Sequence, residues 1–154
     1  MYLHSVPMKE TYYLTHQEVA KFDSKALWID IDNICYVLSE KQGTKGIEVE
    51  TKYNDNDVLD FCLRFNGVKR SDNFETPIDH DSVYEKLNSN DIFEVLNCDI
   101  TKEEPIYIRE KNHYFYPYFI SGTIKVKDNK KFSEMLVSGY GRSKRLGFGL
   151  FFIY

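Results

Sequence analysis

Long apolar runs are missing from this chain of 154 residues, and so are most of the residues that mark specialised scaffolds. No stretch approaches the roughly 18 consecutive apolar residues of a membrane-spanning helix. The opening MYLHSVPMKE has neither the charged start nor the apolar run of a signal peptide. A cytoplasmic protein with no membrane partner is therefore expected. Cysteine is scarce: Cys35, Cys62 and Cys98 are odd in number and include no CxxC spacing. That argues against a disulfide framework and a cysteine zinc site, and leaves three reduced core residues. With only 4 Pro and 8 Gly, collagen-like and low-complexity disordered chains are excluded too.

Aromatic residues are plentiful. Twelve Tyr and eleven Phe in a composition that is 42% hydrophobic point to a folded protein rich in strands. The net charge of −4 argues by itself against a nucleic-acid binder, because phosphate contacts need a basic footprint. The average conceals an asymmetry. Through Ile120 the chain carries 13 basic and 22 acidic residues, whereas the last 34 residues carry 7 basic and 2 acidic ones. A cationic end on an acidic body suits a selective binder of a polyanion.

Local patterns give an element order. Met1 to Val6 reads as a strand ending at Pro7. Thr15 and Glu18 have the spacing of a capping box, which predicts a helix from His16 to about Phe22. Two apolar runs around the turn Asp32-Asn33 predict a hairpin anchored by Trp28. Strands are expected at Ile47 to Lys52 and Val58 to Phe65. The polar stretch Val68 to Asp81, which carries Pro77, reads as a linker. A short helix over Ser82 to Asn88, strand character from Phe93, two strands within Ile106 to Val126, a helix over Asp128 to Val137 and a final strand Gly147 to Tyr154 complete the order. This predicts an α+β chain of two small ferredoxin-like, or RRM-like, modules with antiparallel sheets. The division is drawn at residues 1–76 and 77–154.

The segment Gly139 to Leu150, GYGRSKRLGFGL, holds four of the eight glycines. Glycine permits positive φ and close backbone approach, and successive N–H groups in such a turn make a concave anion site. Gly139, Gly141, Arg142, Ser143, Lys144, Arg145, Gly147 and Gly149 are the candidate RNA-binding residues, gripping a sugar-phosphate backbone without reading bases. The competing reading is a tight helix-to-strand connection with solvated charges. The order GxxxxGK[ST] is absent, so nucleotide-dependent phosphoryl transfer is not supported.

The motif GYGRSKRLGFGL closely resembles the C-terminal glycine-rich signature of the CasE family, the CRISPR repeat-processing endoribonucleases of type I-E systems within the RAMP superfamily. Gly122-Thr-Ile-Lys-Val126, Asp128, Phe132 and Leu136 resemble the strand and helix leading into that signature. MYLHSVPM resembles the family's first strand, and Phe61 to Asn66 its central strand. The resemblance implies paired ferredoxin-like folds and metal-independent cleavage of a CRISPR repeat hairpin in precursor RNA. In that reaction the 2′-OH attacks the adjacent phosphate, and the protein then assembles into a Cascade-type effector complex. It also implies that Tyr13, His16 and Lys21 are the catalytic positions. No metal or organic cofactor is indicated.

Geometry permits those roles. Near the start of a helix, an imidazole lies beside free N–H groups and the positive end of the dipole, which favour a phosphate and a neutral base. Tyr13 would orient the phosphate and Lys21 would offset charge, although Lys21 lies about 140° around the helix from His16. His4, His80 and His113 are the remaining histidines and read as structural. Lys125, Lys127, Lys130 and Lys131 are candidate helpers on RNA. The alternatives are an RNA-holding subunit that does not cleave and a protein-interaction module without RNA.

Overall fold

The computed structural model describes residues 1–154. The first sheet holds β1 (Tyr2–Pro7), β2 (Leu27–Ile31), β3 (Ile34–Ser39) and β4 (Ile47–Glu48), in the order β2-β3-β1-β4. Helix α1 (Tyr12–Phe22) connects β1 to β2. Asp32 and Asn33 both take positive φ, the geometry of a two-residue hairpin turn, and close the expected β2–β3 hairpin.

The remaining elements follow in chain order. They are β5 (Val58–Asn66), β6 (Val68–Ser71), β7 (Phe74–Pro77), α2 (His80–Asn88), β8 (Phe93–Lys102), β9 (Ile106–Ile108), β10 (His113–Phe115), β11 (Pro117–Val126), α3 (Asn129–Ser138) and β12 (Phe152–Ile153). The second sheet runs β12-β5-β11-β8. Numbered within their modules, both sheets follow the strand order 4-1-3-2, the ferredoxin-like arrangement. In the first module a turn replaces the second helix. In the second, two hairpins, β6–β7 and β9–β10, are inserted between core elements.

Several expectations need correcting. Val68 to Asp81 is not a linker: it contains the β6–β7 hairpin, whose turn at Asp72-Asn73 again has two positive φ values. Its strands carry Lys69, Arg70 and Ser71, all exposed, so no apolar alternation marks them. The change from one sheet to the other falls between Glu48 and Val58, ahead of the division drawn at residue 76, because β5 pairs with β11 and β12. The final strand shrinks to Phe152–Ile153, since Gly147 to Phe151 is held by burial rather than by a ladder.

Three layers of apolar contact result. Helices α2 and α3 cover one face of the second sheet around Phe61, Leu63, Phe93, Phe132 and Phe151, with Phe61 and Phe151 stacked at 4.7 Å. Helix α1 covers the first sheet through Val19, Trp28, Cys35 and Val37. Leu27, Ile29, Leu38, Cys62 and Leu150 join the two modules. Alternation along β2 explains this: Trp28 points one way, Leu27 and Ile29 the other, and both faces are buried.

Arg64 is the polar tie across the modules. It lies on β5 and is only 7% exposed. Its Nη1 donates to the Asp30 carbonyl at 2.7 Å and pairs with the Asp30 carboxylate, and its Nε donates to Glu103 at 2.8 Å. Its guanidinium carbon stands 5.5 Å from the Phe119 ring centroid. Truncating one partner of a part-buried network strands the others. Arg64→Ala should therefore lower the unfolding free energy by about 3 kcal/mol in urea denaturation, with little relief from added salt.

Candidate active site

Helix α1 begins four residues earlier than its capping-box spacing suggests. Thr11 is the N-cap, accepting from the Leu14 N–H at 3.1 Å. Thr15 is buried in the helix, where its hydroxyl donates to the Thr11 carbonyl at 3.1 Å and accepts from the Lys9 N–H at 3.0 Å. His16 is thus in the second turn, away from the free N–H groups, and the expected dipole effect has no basis there.

What holds His16 is the far end of the chain. Its Nδ1 lies 3.0 Å from the carbonyl of Arg145. A carbonyl only accepts, so Nδ1 carries the proton and Nε2 is the free ring nitrogen, a lone-pair base in the neutral ring. The same carbonyl accepts from Trp28 Nε1 at 3.0 Å. Burial pushes the His16 pKa below its ordinary value. The bond to Arg145 opposes that shift and the charge of Lys111 reinforces it. Tyr13, half-buried, has its ring centroid 6.1 Å from that of His16.

The glycine-rich segment is a closed loop. The Tyr140 N–H donates to the Gly149 carbonyl at 2.8 Å, and the Gly149 N–H donates to the Arg64 carbonyl at 3.2 Å. Gly147 and Gly149 are buried at positive φ. A methyl on Gly147 would strike the Tyr12 hydroxyl and approach Trp28 to 2.9 Å, and one on Gly149 would come within 2.6 Å of the Tyr140 carbonyl. Gly139 is also buried and ends α3, and Gly141 is half-buried against Phe65. These four are packed into the fold, whereas Arg142 and Arg145 are exposed. Lys144 lies half-buried across Gly139 and Gly149. Ser143 accepts from Asn66 Nδ2 at 3.2 Å, and Arg145 Nη1 donates to the Ser24 carbonyl at 3.3 Å.

The other candidates are dispersed. Lys21 is exposed in the last turn of α1, and its ammonium makes no hydrogen bond or ion pair. His4 is bound through Nε2 to the Lys41 carbonyl at 2.9 Å, His80 faces Asp81 at 3.5 Å and His113 faces Glu75 at 3.3 Å. Lys125 pairs with Glu94, Lys131 with Asp91, and Lys127 donates to the Asn90 carbonyl, while Lys130 is exposed. Nowhere do three or more His, Cys, Asp or Glu side chains converge to hold a metal ion. Sequence reasoning missed Lys111, Trp28 and the Arg145 carbonyl as parts of the site. No local pattern near His16 points to any of them.

The lowered pKa fixes a sign. The folded chain binds the His16 proton less tightly than the unfolded chain. The stability that His16 contributes is therefore fully present above an unfolded midpoint near 6.5 and is lost as the pH drops from there through the lower folded midpoint. An NMR titration of the His16 ring should show a midpoint below 6.5, moving upward in Lys111→Ala.

The comparisons agree with this architecture. The CRISPR associated protein family model matches residues 33–154. Among solved structures, Cas6e from Escherichia coli str. K-12 is similar with a TM-score of 0.84 at 19% identity, over 99% of this chain and 98% of that one. Thermus thermophilus Cse3 bound to an RNA representing a pre-cleavage complex gives 0.78 at 16% identity, over 99% and 98%. A chain of E. coli Cascade bound to a PAM-containing dsDNA target gives 0.70 at 19%, over 99% and 98%. No curated protein is significantly similar in sequence. No helix is long and apolar enough to cross a membrane. With most of its length under that family model and its whole fold shared with Cas6e and Cse3, the chain belongs to the CRISPR associated protein family.

Proposed function

We propose that this protein is a metal-independent endoribonuclease that cleaves CRISPR repeat hairpins in precursor RNA and retains the guide within a Cascade-type complex. The observation that carries this reading is the His16 imidazole, whose tautomer is set by the Arg145 carbonyl inside the glycine-rich loop. The similar Cse3 was solved with an RNA representing a pre-cleavage complex, and a similar chain stands in E. coli Cascade.

In the proposed reaction the 2′ oxygen attacks the adjacent phosphorus as His16 Nε2 takes its proton. The bond from phosphorus to the 5′ oxygen breaks, and that oxygen receives the proton that His16 Nε2 took, returned directly or through the Tyr13 hydroxyl. A 2′,3′-cyclic phosphate and a 5′-OH result. Burial lowers the His16 pKa from its ordinary value, which favours the neutral imidazole that can accept the proton. Tyr13 is the neighbouring hydroxyl that orients the phosphate or shares the proton transfers. Positive charge near the pentacoordinate phosphorus offsets its extra negative charge. Lys111, the cation that acts on the His16 ring, fills that role better than Lys21 at the far end of α1. Arg142, Ser143, Lys144 and Arg145 hold the RNA backbone, while the packed glycines shape the loop that presents them.

On a repeat hairpin in EDTA, His16→Ala should cut turnover by about 100-fold or more while leaving binding intact, and Lys111→Ala should lose more rate than Lys21→Ala. Denaturing gels read the cleavage. Binding without cleavage by the wild type would instead identify an RNA-holding subunit. In salt titrations, the double variant Arg142→Ala/Lys144→Ala should lower the slope of log affinity against log salt by about one per lost phosphate contact.

A further inference from the structure

Beside the candidate active site, the β9–β10 hairpin has a face that the fold leaves unused. Its inward side chains Ile108 and Phe115 pack with Phe148 into a small core. Its outward side chains are Tyr107 and Tyr114, directly paired across the strands with centroids 4.7 Å apart. They are 45% and 52% exposed. Single exposed apolar side chains are ordinary, but here two rings lie side by side in water, with the Tyr107 hydroxyl donating to Asn112 Oδ1 at 2.8 Å.

The pair belongs to a longer series. Tyr116 stacks beyond Tyr114 at 6.5 Å with the rings 23° from parallel. At one end, Tyr107 and Arg109 line a cleft of about 370 Å³ with Tyr13, the neighbour of His16. At the other end, Tyr114 and Tyr116 line a cleft of about 380 Å³ with Arg70, on the β6–β7 hairpin. The rings thus form a row from the edge of the candidate site outward, with a guanidinium at each end. Each cleft also holds one carboxylate, Glu110 at the inner end and Glu75 at the outer end, where it lies 3.3 Å from the His113 ring.

The geometry points to a stacking platform for single-stranded RNA that flanks the hairpin, continuous with the scissile phosphate at His16. Aromatic rings at successive stacking distances hold bases without reading their sequence, and cations track the backbone. A paired stem keeps its bases stacked on one another, so the rings select unpaired nucleotides. This inference rests on the repeat-RNA reading and adds a substrate feature to it: the enzyme recognises unpaired sequence beside the hairpin as well as the hairpin.

The test uses a repeat hairpin blocked by a 2′-deoxy nucleotide at the scissile position, either bare or with a short oligouridine extension on its 5′ or 3′ side. Wild-type protein should bind one extended form about tenfold more tightly than the bare hairpin. Tyr107→Ala/Tyr114→Ala should lose that gain yet bind the bare hairpin as the wild type does, and Tyr107→Phe/Tyr114→Phe should keep it. 5-Iodouridine in the extension should photocrosslink to Tyr107 or Tyr114. Equal affinity for bare and extended hairpins, or a gain that survives the double alanine variant, would overturn the platform. If the bare hairpin is not bound at all, the repeat-RNA reading fails separately. Titration with free oligouridine then decides the platform: tyrosine-dependent binding supports it and absence of binding overturns it.

Discussion

A single backbone oxygen, the carbonyl of Arg145, organises the candidate site. It accepts from the His16 ring and from the Trp28 indole, both at 3.0 Å. Trp28 is fully buried between α1 and the first sheet, so its N–H is a fixed donor rather than a rotor. The indole therefore pins the oxygen, and the oxygen sets the orientation and tautomer of the imidazole. The glycines follow from the same requirement. Gly147 has to pass between the Tyr12 hydroxyl and Trp28 for the chain to reach this position, and no side chain fits there.

The two modules support that contact from different sides. The first supplies α1 and Trp28, and the second supplies the loop, which is tied to β5 through the Arg64 carbonyl. Arg64 also carries the ion pairs to Asp30 and Glu103, so one residue links the loop's backbone, the strand carrying Trp28 and the end of β8. Small displacements between the modules would be felt at the imidazole first, because each contributes one half of the bond that holds it.

Much of the frame was legible in the residues. The β2–β3 hairpin showed in its apolar runs around Asp32-Asn33, and α2 and α3 showed in their apolar spacing, because local chemistry governs those elements. The β6–β7 hairpin went unread although its turn uses the same Asp-Asn pair, since its strands expose polar side chains and bury almost nothing. The start of α1 was misread because Thr11 and Thr15 both have capping chemistry, and only packing shows that Thr15 is the buried one. Within the candidate site, Tyr13 and His16 were legible as a pair only through the family resemblance, with Tyr13 ahead of the expected helix, whereas both lie on α1. Lys111 was not, because it approaches from an inserted segment nearly a hundred residues on that carries no motif of its own.

The bond between His16 and Arg145 spans 129 residues, and that between Trp28 and Arg145 spans 117. Contacts of such sequence separation are costly in chain entropy and do not form from local structure. Helix α1 folding by itself would leave the imidazole free to rotate and to exchange tautomers. An oriented imidazole exists only when both modules have folded and docked, so the geometry of the candidate site and global folding form one cooperative unit. A partly folded chain, although it already contains the histidine, would hold no oriented imidazole at all.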